Sequence, residues 1–352
     1  MPDINGNELN EKLHEIVYKA NIRKAIKNDP VYKIREILEL KNITALRGLG
    51  KLHKVPGCSK MEKAEIIPHL AIRMTNREMI VDLLQILDKN DWDMFKAAVK
   101  KKQVTDDMLF SDAYWMMNQL GVLTLFYHAG HFHYVIPSEI QEIYRGLEKE
   151  GFPARKEHGD LINVYAIAAV NLYGVIKQDD FTELFNGQNS RKTDIYEMRG
   201  VLQRFAYMDV GYCLWNEYIV NDYFEGNKFR DVLNIVSAAA KKPRYIPKKE
   251  QFLKFAEKDF IEETPQLNKL RTYINAHIDV DASTAEDILD EYYYLARSEA
   301  DLQHFINLFE QNGLPLEIEQ IKALIGLVND LYYNSRRWSN NGHTPAELGL
   351  ET

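Results

Sequence analysis

Apolar residues return every three to four positions along most of this chain, the period of helices with one buried face. Over residues 8–28, Leu9, Leu13, Ile16, Val17, Ala20 and Ile26 align on one such face. Asp29-Pro30 stops that helix, because the residue before a proline is pushed out of the α region. VYKIREILELKN predicts a short second helix. Residues 43–74 predict two short helices around a loop holding Pro56 and Gly57, with Ser59 as N-cap of the second and Glu62 as its capping-box partner.

Residues 77–140 read differently. MIVDLLQIL and DWDMFKAAVKK predict helices, and SDAYWMMNQLG a third, ended by Gly121. Two aromatic, β-branched runs follow, VLTLFYH and HFHYVIP, joined through Ala129-Gly130 as a hairpin. Three helices and a hairpin make the order of a winged helix-turn-helix. The same order returns about 84 residues later in LINVYAIAAVNLYGVI, DDFTELFNG and TDIYEMRGVLQRF, followed by YMDVGYCLW and YIVNDYF turning near Asn216-Glu217. Identity between the two copies is low, so the repeat rests on order and spacing. KKPRYIPKKEQFLKFAEK, with Pro243 and Pro247, predicts a basic connector. Helical periodicity resumes from 265 to 335, with Ser283 and Glu286 suiting a capping box before ILDEYYYLA, and a further helix over about 318–333. Tyr292, Tyr293 and Tyr294 cannot all face inward on one helix.

The expected fold class is therefore mainly α. The expected divisions are an N-terminal helix (1–30), a small helical module (31–75), winged-helix-like modules over 76–150 and 151–240, the connector (241–264), and an acidic helical domain with a polar tail (265–352).

Composition narrows the classes. The chain has 352 residues, 45% of them apolar and 11% aromatic, enough for a packed core and against general disorder. Eighteen glycines and 11 prolines are too few for collagen-like or linker-rich classes. Two cysteines, Cys58 and Cys213, form neither a disulfide framework nor a CxxC pair, which fits a reducing compartment. Asp3, Glu8 and Glu11 precede any apolar run, against a secretory signal. No segment approaches the roughly 18 apolar residues of a membrane span. The expectation is a soluble cytoplasmic protein with no membrane partner. The net charge of −8 is uneven: residues 259–351 hold 17 acidic and 6 basic residues. A basic surface, the footprint of nucleic-acid binding, must therefore lie in the first two thirds of the chain.

Residues 43–74, through ITALRGLGKL, HKVPGCSK and MEKAEIIPHL, resemble the small N-terminal helical module of transcription termination factor Rho and the related SAP module. That resemblance implies nucleic-acid contact. NLYGVIKQDDFTELFN, KPRYIPKKEQFLKFAEKDFIEETPQ and LVNDLYYNSRRWSNNGHTPAEL resemble a largely uncharacterised group of bacterial proteins from Firmicutes. Members pair such a module with a helical body, and many continue into a SEC-C zinc motif. No Cys-rich segment follows WSNNGHTPAEL here, so a zinc role of that kind is not implied for this chain.

The candidate phosphate-contacting residues are Arg47, Lys51, Lys54, Lys60 and Lys63 in the first module. Lysine and arginine there would give salt-dependent, sequence-tolerant affinity, although Glu62 and Glu65 dilute the charge. Lys100, Lys101 and Lys102 precede the third helix of the first winged-helix-like module, which itself offers Asp112, Tyr114, Asn118 and Gln119 but no cation for reading base edges. In the second copy Arg191 and Lys192 precede the third helix and Arg199 and Arg204 lie on it, offset by Asp194 and Glu197. His128, His131 and His133 are a weak metal candidate, since His131 and His133 alternate toward one strand face. Ordinary hairpin-face residues are the competing reading. Cys58, beside the basic loop, reads as structural. Signature loops of nucleotide-binding, hydrolase and zinc-protease sites are absent, and no cofactor is expected. RRWSNNGHTPAEL reads either as an interface anchor or as a tail strapped back on the body, turning at Asn341-Gly342. The expected function is non-enzymatic binding of DNA or RNA as a regulator or accessory protein. The alternative is a protein-interaction scaffold whose winged modules touch no nucleic acid, with a protein partner or a second copy meeting the acidic C-terminal helices.

Overall fold

Helices carry most of the chain in the computed structural model, which describes residues 6–208, 210–226, 229–258, 260–297 and 302–350. Two three-stranded antiparallel sheets complete the described residues. The chain divides into two units, residues 1–157 and 158–352.

In the first unit, α1 (Gly6–Lys24) ends earlier than its apolar period suggests. Ile26 instead pairs with the exposed edge of a hairpin, its amide donating to Leu125 O (2.8 Å) and its carbonyl accepting from Tyr127 N (2.9 Å). The expected apolar face is also rotated: Ile16 and Leu13 are exposed, whereas Val17 and Asn21 are buried. Asn21 explains the rotation. Its amide donates to Leu109 O (3.0 Å) and to the Tyr134 hydroxyl (3.2 Å), and its carbonyl accepts from the Tyr114 hydroxyl. A buried carboxamide with all these bonds made outweighs a marginal apolar stripe.

Three short helices, α2 (Ile34–Leu40), α3 (Ile43–Leu52) and α4 (Lys63–Met74), enclose a small core of Leu38, Leu46, Leu49, Ile66 and Leu70. Glu62, not Ser59, caps α4, and Glu65 returns the bond to the Glu62 amide (2.9 Å). Next come α5 (Arg77–Ile86), α6 (Lys89–Lys101), β1 (Gln103–Thr105), α7 (Trp115–Gln119), and the hairpin of β2 (Thr124–His128) and β3 (His131–Val135), which turns at Ala129-Gly130. The sheet order is β1-β3-β2. The third helix of this module is short, because Tyr114 leaves helical backbone (φ −151°) and buries its ring beside Tyr134. α8 (Ser138–Lys149) covers the sheet, and α9 (Phe152–Tyr173) follows.

His53 ties the helical module to this body. It ends α3, and its Nε2 lies 2.9 Å from Leu120 O. Burial holds its imidazole below the usual histidine range.

In the second unit, Gly174 (φ +71°) ends α9, so the Val175–Lys177 segment becomes strand β4 rather than more helix. α10 (Gln178–Gln188), α11 (Ile195–Phe205), β5 (Tyr212–Trp215) and β6 (Tyr218–Asn221) follow, with sheet order β4-β6-β5. The turn falls at Asn216-Glu217, Asn216 adopting φ +52°. After α12 (Phe229–Ala239) the connector holds α13 (Lys249–Lys254) and is pinned rather than loose. Lys242 donates to Ser339 O and Asn340 Oδ1, Arg244 to Asp180, and Lys249 to Asn189.

Helices α14 (Pro265–His277), α15 (Ala282–Arg297), α16 (Leu302–Gln311) and α17 (Ile318–Asn334) bury Leu270, Ile274, Leu289, Tyr292, Phe309 and Val328 together. Asp281 caps α15, accepting from Ser283 N and Thr284 N, while Glu286 pairs with Arg271 instead of closing a box. Tyr292 and Tyr293 are buried and Tyr294 is exposed.

The tail is strapped down, and much of its contact is with α9, β4 and the connector. Trp338 donates to Asn171 O (3.2 Å) and lies so close to Gly174 that a Cβ there would stand 2.6 Å from the indole. Asn341 (φ +51°) donates to Ala239 O and Lys242 O.

Two outcomes are expected. Gly174→Ala, strained in φ and clashing with Trp338, lowers unfolding free energy by about 3 kcal/mol or more. Gly187→Ala, in α10 with nothing within 4 Å of the new methyl, is neutral or stabilising by up to about 1 kcal/mol in the same urea titration. Because the folded state favours neutral His53, the unfolded state binds more protons there, and stability falls as pH drops through about 6.5. His53→Gln flattens that limb of a stability–pH curve.

Candidate nucleic-acid interface

The loop joining α3 to α4 exists because of two small residues. A Cβ on Gly50 would stand 2.7 Å from that of Cys58, so the buried Cys58 packs directly on the α3 backbone. Gly57 (φ +73°) turns the chain, and Lys54 adopts φ +52°. Cys58 is thus a packing residue. The fold gathers Lys51, Lys54, Lys60 and Lys63 within one segment, at the end of the module where α3 finishes and α4 starts.

Their environments differ. Lys51, Lys54 and Lys60 are exposed, with no acidic or carbonyl partner among the described residues. Lys63 donates to Glu39 O at the end of α2. Arg47 is half-buried and donates to Met61 O (3.0 Å), clamping the loop, and its Nε has no acceptor among the described residues. Three cations of the five are therefore exposed with no partner among the described residues.

Lys100, Lys101 and Lys102 are exposed at the end of α6, Lys102 with φ +67°. Tyr114, expected on a groove-facing helix, is fully buried, and Trp115 and Phe110 are the exposed aromatics nearby.

In the second unit most of the expected cations serve the fold. Lys192 donates to Asn186 O and Asn189 O. Arg191 lies 4.0 Å from Glu197, and Arg204 Nη1 donates to Gly200 O (3.1 Å). Arg199 alone of these points outward without a described polar partner. The helix itself is well founded: Asp194 accepts from Tyr196 N and Glu197 N (2.8 Å each), and Met198, Leu202 and Phe205 bury its inner face.

Its outer face shows what charge counting missed. Tyr196 is 83% exposed and Tyr207, in the turn just after α11, is 91% exposed. Spacing puts Tyr196, Arg199, Gln203 and Tyr207 on one stripe, and a Cβ on Gly200 beside it would stand 4.0 Å from Arg204 Nη1. The signal was present in TDIYEMRGVLQRF, where Tyr196 falls opposite the apolar face.

The histidines do not converge. His128 and His131 face each other across the hairpin. His131 Nδ1 lies 2.7 Å from Asp107 Oδ2, His133 Nδ1 lies 3.1 Å from Thr105 Oγ1, and His128 approaches Asp29 (3.7 Å). Among the described residues no three His, Cys, Asp or Glu side chains are placed to hold a metal. Burial pushes the Cys213 thiol up to about 11, away from reactivity.

No family model, curated protein or solved structure matches the chain.

Arg47→Ala is expected to cost about 1–2 kcal/mol of stability by releasing Met61 O. A circular-dichroism melt checks this against Lys54→Ala, which should fall within about 0.5 kcal/mol of the parent.

Proposed function

We propose that the chain is a non-enzymatic nucleic-acid-binding protein, with Lys51, Lys54 and Lys60 of residues 34–74 contacting phosphate. The observation carrying this reading is that these three exposed lysines lie at the end of α3 and in the loop after it, and are not consumed by the fold. The likeness of 43–74 to Rho and SAP modules supports it. We further infer that 77–135 and 152–221 are winged-helix-like. The supporting facts are the succession of helices and a closing hairpin, and a three-residue strand in each sheet pairing with the far hairpin strand. In this reading α11 meets exposed bases through Tyr196 and Tyr207, with Arg199 between them, because aromatic faces stack on bases irrespective of sequence. Regulatory or accessory work on DNA or RNA follows.

The scaffold reading is favoured by the fixed state of Lys192 and Arg204 and by the short, uncharged α7. Fluorescence anisotropy of the whole chain with single-stranded and duplex DNA and with RNA, across a salt series, separates the two. Binding that weakens steeply with salt is expected. A Lys51/Lys54/Lys60 triple alanine variant should lower the log–log salt slope by about 2–3. Tyr196→Ala with Tyr207→Ala should weaken single-strand binding about tenfold or more and leave duplex binding nearly unchanged. No binding at low salt overturns the reading and leaves the scaffold.

A further inference from the structure

We propose that a cavity in the second unit binds a small anion carrying a planar ring, a site independent of the nucleic-acid surface. The cavity has a volume of about 570 Å³ and is walled by the end of α9, the β6 segment, α15, α16 and Trp338. That volume lies within the roughly 300–1,000 Å³ of small-molecule pockets.

The anionic end is set by Arg297. This residue closes α15, is only 6% exposed, and rests its guanidinium 5.3 Å from the Tyr293 ring. Its Nη2 is buried with no hydrogen-bond acceptor among the described residues, so it meets a ligand as the guanidinium turns toward the cavity that Arg297 lines. Guanidinium stays charged inside a protein, and a buried N–H without an acceptor costs free energy that a bound acceptor would return. Carboxylate and phosphate match the guanidinium fork best. His304, on the same wall, supplies a further nitrogen at the rim.

The ring is set by the opposite side. Tyr223 meets Trp338 edge-on, centroids 5.7 Å apart, and both Tyr223 and Tyr294 (54% exposed) stand at the mouth. These walls are rigid. Trp338 is held by Asn171 O and by the bare α-carbon of Gly174, and Asn221 is locked by the Tyr223 amide (3.0 Å) and by its own bond to Asn171 Oδ1 (3.2 Å). A pocket already in its bound shape gives up little freedom on binding. Glu291 and Asp222 also line the cavity, so a bare polyanion is disfavoured there and a ligand that presents hydroxyl or ammonium donors beside its ring is favoured. Nucleoside monophosphates and aromatic amino acids both satisfy this chemistry. In the first the phosphate meets Arg297 and the ribose hydroxyls meet the carboxylates; in the second the carboxylate and ammonium take those places.

Isothermal titration of the full chain with AMP, L-tryptophan and inorganic phosphate tests the site. One ring-bearing probe is expected to bind with Kd of about 1 mM or tighter, at least tenfold more tightly than phosphate. Arg297→Gln should abolish this binding. Because Arg297 is buried, Tyr294→Ala at an exposed position gives a second arm, expected to weaken binding about tenfold in a chain of unchanged melting temperature. Tyr196→Ala with Tyr207→Ala should leave the affinity unchanged, which separates this site from the nucleic-acid surface. Absence of binding by both ring-bearing probes overturns the proposal. So does binding that Arg297→Gln and Tyr294→Ala leave intact, or phosphate binding as tight as that of the ring-bearing probes.

Discussion

The second unit is organised around the Arg336 guanidinium. It lies 3.5 Å from the centre of the Tyr245 ring, donates from Nε and Nη2 to Glu262, and from Nη1 to Gly342 O and Glu347. One planar cation thus joins the connector, the approach to α14 and both ends of the tail loop. A buried charge of this kind is tolerable only when its donors are satisfied, and removing any one partner leaves the rest uncompensated. The two carboxylates overcome the burial penalty, holding Arg336 above its ordinary range, while Glu347 is held below its own. With the loop fixed, Trp338 is aimed at Gly174, α9 ends there, and β4 can begin. The wall of the ring-binding cavity is a by-product of the same wedge.

The cations of this chain divide by where their neighbouring helices end. Lys63 reaches the terminal carbonyls of α2, Lys192 those of α10, and Arg204 folds along its own helix to Gly200 O. Helix C-termini present unsatisfied carbonyls and partial negative charge, which attract nearby cations. Lys51 lies in the last turn of α3, yet neither it nor Lys54 or Lys60 donates to a carbonyl among the described residues. A count of basic residues overstates a binding surface by the number that serve as caps, and local backbone geometry decides which those are.

Much of the architecture was legible. The helical blocks of 77–86, 89–101 and 318–334 carry strong periodicity, and both hairpins announce themselves through Ala129-Gly130 and Asn216-Glu217. The three-residue strands β1 and β4 were not legible, because no alternation can show in so short a run and pairing to β3 and β6 alone makes them strands. Helix starts were misplaced where a second capping residue stood nearby: Glu62 displaced Ser59, and Asp281 displaced Ser283. Asn21 was invisible because a polar residue earns a core position only from partners 88 or more residues away. For the candidate sites, lysine positions were readable and their occupancy was not. Tyr196 could have been found from its place opposite the apolar face of α11, whereas the orphaned Nη2 of Arg297 is a property of packing, which one sequence does not display.

The Trp338–Gly174 contact also orders events in time. Chains emerge from the ribosome N-terminus first, at about 5–20 residues per second, and residues 336–347 emerge later than every element they bind. Val175, Val220, Phe224 and Val232 are therefore made before the indole that packs on them, and their shared core with Trp338 can be completed only after the tail has been synthesised.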